Sequence, residues 1–178
     1  MINYKVNKFT GLITGFFRGF NSDKYFKKIL NYLMCEDILN IGCGRRDYKK
    51  FIHPSNNFVR ADCRNLPNVD VVTNITDLSF NDNSFDFILC LNLLEHVWDT
   101  RKALSELRRV LRVNGKVLFH VPFFFPEHDA PYDFHRWTIN GFSKLLEENN
   151  FRVLEWNKSN LLINKLLIGF SCLCEVMK

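Results

Sequence analysis

Residues 121–138, Val121-Pro122-Phe123-Phe124-Phe125-Pro126-Glu127-His128-Asp129-Ala130-Pro131-Tyr132-Asp133-Phe134-His135-Arg136-Trp137-Thr138, hold three acids, two histidines, an arginine and a tyrosine. An imidazole titrates near pH ~6.5, so His128 and His135 are the candidate bases, and Asp129 or Asp133 could orient either one. A second constellation lies earlier. Gly42-Cys43-Gly44 directly follows the apolar run Ile38 to Ile41, and glycine there lets a ligand approach the backbone with no Cβ in the way. Asp62 ends the next apolar run, about twenty residues on, where a carboxylate accepts hydrogen bonds from an adenosine ribose. A dinucleotide-binding loop would place its third glycine at Asp47, and Arg45 and Arg46 add bulk beside it, which argues against NAD.

These groups need a frame, and the hydrophobic pattern predicts one. Strands are expected at Ile38 to Ile41, Phe58 to Ala61, Val69 to Thr73, Phe85 to Cys90, Lys116 to Val121 and Phe151 to Trp156. The clearest helix is Thr100 to Arg112, with Ala103, Leu104, Leu107, Val110 and Leu111 on one face and Asn114-Gly115 as its stop. Continuously apolar strands separated by crossovers predict a doubly wound, mostly parallel α/β sheet with helices on both faces. Ahead of it, residues 1–34 read as helical, with amphipathic spacing over the first twenty residues and a second helix from Asp23 to Met34. At 178 residues and 47% hydrophobic, the chain can bury a real core as one domain. Its charge of +5 is spread along the sequence and interleaved with acids, so no basic tract points to nucleic acid.

Four ordered motifs carry a resemblance. They are Asn74-Ile75-Thr76-Asp77-Leu78-Ser79-Phe80, Asp82-Asn83-Ser84-Phe85-Asp86, Leu91-Asn92-Leu93-Leu94-Glu95-His96-Val97 and Arg109-Val110-Leu111-Arg112-Val113-Asn114-Gly115-Lys116. With the glycine turn, the stretch from Ile38 to Trp156 resembles the class I S-adenosylmethionine-dependent methyltransferases, in their small, type 11-like branch. The resemblance implies a Rossmann-like fold with S-adenosylmethionine as cofactor. It places Gly42, Cys43 and Gly44 around the methionine portion, Asp62 on the ribose and Cys63 beside the adenosine. It likewise places Asn74 and Ile75 on the adenine, and Asn92 beside the sulfonium. Two positions depart from the family, which usually has an acid where this chain has Asn40 and Asn74. Asparagine keeps an acceptor but loses the charge. The 121–138 stretch also resembles a branch of these enzymes, many of them associated with sugars or polysaccharides, that shares a Pro-Phe…His-Asp-x-Pro-Tyr-Asp-x-x-Arg-x-Thr signature.

Methyl transfer from a sulfonium is an in-line displacement in which positioning supplies much of the rate, and a hydroxyl acceptor must also lose its proton. The expected function is therefore methyl transfer to a small-molecule or envelope sugar acceptor, with His128, His135 and Asp133 the catalytic candidates in an acceptor loop at 122–137. Other readings stand beside these. Asp133 and Arg136 could pair only to fix the loop, Tyr132 and Trp137 could be lid packing, and Thr138 could cap the next helix. His96 could touch acceptor or cofactor, or pack beside Trp98. No metal is expected, because the histidines and acids lack a recognisable ligand spacing.

After Trp156 the spacing of Leu162, Ile163, Leu166, Leu167, Phe170, Leu173, Cys174 and Met177 predicts an amphipathic helix over 160–178, with the core-forming segment at 35–159. Such a helix would pack on the core or lie on a membrane surface. The family's last antiparallel strand would then be missing, which would suit a shortened variant, a dimer covering the exposed edge, or a catalytically silent cofactor- or partner-binding module. Six cysteines without a CxxC pair or a secretory leader predict a reduced, cytoplasmic setting, with membrane contact confined to the terminal helices.

Overall fold

A computed structural model describes residues 29–30, 33, 36–161 and 166–178, with only the backbone described at 157–161 and 166–168. The helices predicted over residues 1–34 lie, apart from Ile29, Leu30 and Leu33, outside these.

Seven strands form one sheet. They are β1 (Asp37–Ile41), β2 (Asn57–Asp62), β3 (Val71–Val72), β4 (Phe85–Leu91), β5 (Leu111–Pro122), β6 (Phe151–Leu161) and β7 (Leu166–Val176), in the order β3-β2-β1-β4-β5-β7-β6. The pairs from β3 to β5 are parallel, whereas β7 runs antiparallel to both β5 and β6. Ile41 stands opposite Ala61 on one side and Cys90 on the other, so β1, β2 and β4 end level.

Both faces are covered, which is why the central strands are apolar without alternation. Leu39, Ile41, Ile88, Cys90 and Phe119 pack under helices α1 (Thr100–Val110) and α2 (Ile139–Glu148). Ile38, Phe87, Leu89 and Leu118 pack on the opposite side with Leu30 and Tyr48. Asp99 caps α1 by accepting from the Lys102 amide at 3.0 Å, and Thr138 caps α2 by accepting from the Gly141 amide at 3.0 Å, as its sequence position suggested. The first helix stops two residues before the predicted Arg112, because Leu111 is already extended and pairs with Phe85. Asn114, at φ 63, falls instead in the irregular stretch between that pair and the next, Phe87 with Lys116.

The C-terminal expectation is overturned. The described residues of this stretch are strands rather than a helix: β6 runs on to Leu161, and β7 (Leu166–Val176) lies beside β5, supplying the antiparallel strand that seemed absent. Phe170, Cys172, Cys174 and Val176 sit in the core on one face, while Ser171 and Leu173 point to the other. A strand buried on both faces is apolar throughout, so its sequence fits a 3.6-residue period as well as a 2-residue one. The C-terminal membrane-surface helix disappears with this correction, and the edge of β5 is paired by β7, which leaves β6 as the edge strand on that side. Among the described residues no helix is long and apolar enough to cross a membrane.

Packing of β7 depends on Gly169, which pairs with Pro122 of β5. A Cβ there would lie 2.8 Å from the Val121 carbonyl oxygen, a backbone atom that cannot give way without disturbing the ladder. Gly169→Ala is expected to destabilise the protein by about 1–3 kcal/mol, read as an earlier thermal or urea midpoint. An unchanged midpoint would contradict the β5–β7 pairing.

Candidate functional site

The level carboxyl ends of β1, β2 and β4 deliver three turns to one edge. After β1, Gly42 (φ +66) and Gly44 (φ +54) occupy left-handed backbone that other residues rarely adopt. A Cβ at Gly42 would also lie 2.7 Å from the Leu93 side chain, so the turn after β1 and the turn after β4 are pressed together. Cys43 donates its amide to the Ala61 carbonyl at 3.1 Å, and the Gly44 amide donates to Asp62 Oδ2 at 2.9 Å. Burial pushes the Cys43 thiol up to about 11, which keeps it neutral at physiological pH.

Asp62 is 2% exposed, and both of its oxygens are engaged. Oδ1 accepts from the Arg64 amide and Nε, each at 3.0 Å, and Oδ2 accepts from Gly44 and from Arg64 Nη2 at 3.3 Å. Burial would raise this carboxyl, but the Arg64 guanidinium and amide and the Gly44 amide outweigh it and hold Asp62 below its ordinary value. Arg64, its side chain 65% exposed, therefore lies against the carboxylate that the sequence resemblance assigns to a ribose. Cys63 is exposed beside it.

The strand-end loop after β3 carries Asn74 and Ile75. Asn74 Oδ1 accepts from the Thr76 amide and hydroxyl, both at 3.0 Å, which commits the side-chain acceptor to its own turn, while Ile75 is buried. Arg109 of α1 fixes this loop by donating to the carbonyls of Leu78 (2.9 Å) and Phe80 (2.7 Å), and Glu106 accepts from the Leu78 amide at 2.8 Å. Asn40 is buried in β1, with its Nδ2 unpartnered among the described residues.

Asn92 closes β4 at φ 51, a conformation that asparagine tolerates, and its amide donates to the His120 carbonyl at 3.0 Å. The short 3-10 turn Leu94–His96 follows. The 122–137 loop docks on that turn through its main chain: the amides of Phe134 (2.8 Å) and His135 (3.2 Å) both donate to the Glu95 carbonyl. His96 Nδ1 lies 2.7 Å from the Tyr132 carbonyl, which can only accept, so Nδ1 is the donor in this contact.

Within the loop, Asp133 and Arg136 form a bidentate pair at 2.6 and 2.7 Å, as one sequence reading expected. Burial would raise the Asp133 carboxyl, but Arg136, the His128 amide and the His128 ring together hold it down at about 2. Asp133 Oδ2 is also 3.1 Å from His128 Nδ1, so one carboxylate fixes both the loop and the ring of His128.

The fold separates the two candidate bases. His128 lies edge-on to His96 with ring centroids 4.8 Å apart, whereas His135 lies between Trp98 (6.2 Å) and Trp137 (5.1 Å) with Nε2 3.3 Å from the Trp98 carbonyl. The structure also assembles a group that sequence reasoning missed. Ligand atoms of Glu95, His96 and His128 lie within 4.8 Å of one another. Glu95 is 1% exposed, burial pushes its carboxyl up to about 8, and Oε2 has no hydrogen-bond partner among the described residues. The adjacent Glu95-His96 pair was visible in the sequence, but its meeting with His128 depends on how the loop docks.

The family model for a methyltransferase domain matches residues 39–119. A probable S-adenosylmethionine-dependent methyltransferase of Mycolicibacterium smegmatis is 28% identical over 152 residues, which cover 72% of this chain and 56% of that protein. An uncharacterised protein of Methanocaldococcus jannaschii is 50% identical over 48 residues, 27% of this chain and 21% of its own length. The chain thus spans about half or less of the length of these curated relatives. A Burkholderia thailandensis 1,6-didemethyltoxoflavin-N1-methyltransferase, solved with 1,6-didemethyltoxoflavin and S-adenosylhomocysteine bound, is 14% identical with a TM-score of 0.71, covering 99% of this chain and 94% of that one. That likeness is one of fold. The matched stretch, the ordered motifs and the strand order together make the chain similar to the class I S-adenosylmethionine-dependent methyltransferases, with residues 39–119 matching their methyltransferase domain.

Proposed function

We propose that the chain binds S-adenosylmethionine across the carboxyl edge of β1, β2 and β4 and transfers its methyl group to an oxygen of a small-molecule acceptor, a sugar hydroxyl being the class to test first. The observation that carries this reading is the meeting of two turns at one edge: the Gly42–Gly44 turn, with its amide on Asp62, lies against the β4 turn that leads to Glu95, His96 and His128. In this reading Gly42, Cys43 and Gly44 wrap the methionine portion, Asp62 accepts from the ribose hydroxyls, and Asn74, Ile75 and Cys63 border the adenosine. Asn92 stands at the sulfonium. The acceptor oxygen attacks the methyl carbon in line, the carbon–sulfur bond breaks, S-adenosylhomocysteine leaves, and the acceptor's proton is drawn off at the histidine cluster. Asp133 is a positioning residue that orients His128. Exposed ring faces of Trp98, Phe124 and Tyr132 near the loop suit a ring-shaped acceptor.

A second reading, a catalytically silent cofactor- or partner-binding module, draws support from Arg64 on Asp62 and from the unpartnered Asn40 amide. It no longer draws support from the C-terminus. Nothing in the charge distribution favours nucleic acid as acceptor.

Calorimetric titration with S-adenosylhomocysteine tests the cofactor site, and methyl transfer to an acceptor separates the two readings. Asp62→Ala removes a charge-assisted ribose contact and is expected to weaken binding ten- to hundredfold, about 1.5–3 kcal/mol. Arg64→Ala removes only a competitor and should leave affinity equal or higher. Equal affinity in Asp62→Ala, or no binding by the unmodified chain, sinks the proposed cofactor site. For the acceptor end, transfer of labelled methyl groups into a panel of sugars is expected to fall at least about a hundredfold in His128→Ala. It should change little in His135→Ala, and the reverse pattern would move the chemistry to the other histidine.

A further inference from the structure

The side chains of Glu95, His96 and His128 have features that proton transfer alone does not require. Ligand atoms from a carboxylate and two imidazoles converge within 4.8 Å, and His96 Nε2 is already 3.9 Å from Glu95 Oε1. Each imidazole has its Nδ1 facing an acceptor outside the three residues. His96 Nδ1 faces the Tyr132 carbonyl at 2.7 Å, and His128 Nδ1 faces the Asp133 carboxylate at 3.1 Å and the Pro126 carbonyl at 3.2 Å. All of these partners only accept, so both rings carry a proton at Nδ1, and in the neutral imidazole that leaves the lone pair at Nε2. Metal-ligating histidines are oriented this way, with the second nitrogen donating to a carboxylate or a main-chain carbonyl. The independent observation is Glu95 Oε2: it is buried without a hydrogen-bond partner among the described residues, and an oxygen left so is costly unless something fills the space it faces.

We propose that Glu95, His96 and His128 bind a divalent transition-metal cation. Two imidazoles and one carboxylate suit zinc, manganese, iron or cobalt better than magnesium or calcium, which prefer all-oxygen sets, and three protein ligands leave positions open. Ligands of a tetrahedral ion at about 2.1 Å stand about 3.3 Å apart, so binding draws the cluster in by about 1.5 Å at most. His128, carried on the loop, is the member with freedom to move. The coordination itself does not depend on the methyl-transfer reading. Its role does: an acceptor hydroxyl on an open position is made more acidic by the cation, its proton passes to solvent as the oxygen attacks the methyl carbon, and the metal keeps its charge throughout. A His128 lone pair engaged with the cation takes no proton, so proton acceptance by His128 itself belongs to the metal-free protein.

The test uses chelator-treated full-length chain and cobalt(II) chloride alone, with no cofactor or acceptor present, followed by calorimetry and by the visible absorption of the ion. The expected result is one cobalt(II) per chain, visible bands of a low-symmetry nitrogen–oxygen site, and a melting temperature that rises with the ion and falls back with chelator. Glu95→Gln, His96→Asn and His128→Asn should each weaken binding at least tenfold, and His135→Asn should not. Absence of binding by the unmodified chain overturns the proposal, as do three variants that bind as it does. Because the readout is metal bound rather than methyl transferred, failure here leaves the cofactor reading standing. Failure of S-adenosylhomocysteine to bind would in turn leave the metal site standing.

Discussion

The parallel register of β1, β2 and β4 is the constraint on which the rest of the molecule depends. With Ile41 level with both Ala61 and Cys90, the glycine turn, Asp62 and the turn after β4 leave the sheet at the same height. Had one strand slipped by a residue, its apolar set would face the wrong layer and its turn would open away from the others. Burial on both faces therefore fixes the site's geometry as well as its stability. The contact between Gly42 and Leu93 follows from that alignment, because only a residue without a Cβ lets the two turns close together.

A second level of organisation is electrostatic and lies in the 122–137 loop. The loop is held by aromatic contacts such as Phe134 on Trp98 and Trp137 on Phe142, and by polar anchors that set its register. Glu95 holds it by its main-chain carbonyl while leaving its carboxylate to the cluster. Asp133 plays a similar double part, pairing with Arg136 to shape the loop and with His128 to set a tautomer. Pairing with Arg136 and contact with the candidate base His128 thus meet in one side chain. Asp62 is likewise doubly engaged, with Arg64 and the Gly44 amide holding its carboxyl below the ordinary value.

What was legible in the sequence is what depends on neighbours in the chain. The apolar run before Gly42, the acid at Asp62 and the amphipathic spacing of α1 each signal themselves within a few residues, and Thr138 does so as a cap. Two features did not. The β7 stretch is apolar on both faces because the sheet is covered on both, and that removes the alternation by which a strand is read. The convergence of Glu95, His96 and His128 joins the turn after β4 to a loop after β5, through hydrogen bonds from Phe134 and His135 that no spacing rule anticipates. Arg64 was also unread, although it lies two residues from Asp62, because an exposed arginine next to an acid is common and its engagement of both oxygens is a matter of side-chain geometry.

The most direct test of the account is a crystal structure of the chain with S-adenosylhomocysteine. The ribose hydroxyls are expected on Asp62, with Arg64 swung out into solvent and the sulfur at the Asn92 turn facing the space between His96 and His128. A ligand bound elsewhere, or at the same edge with Arg64 still on Asp62 and the sulfur turned away from the histidines, would contradict it.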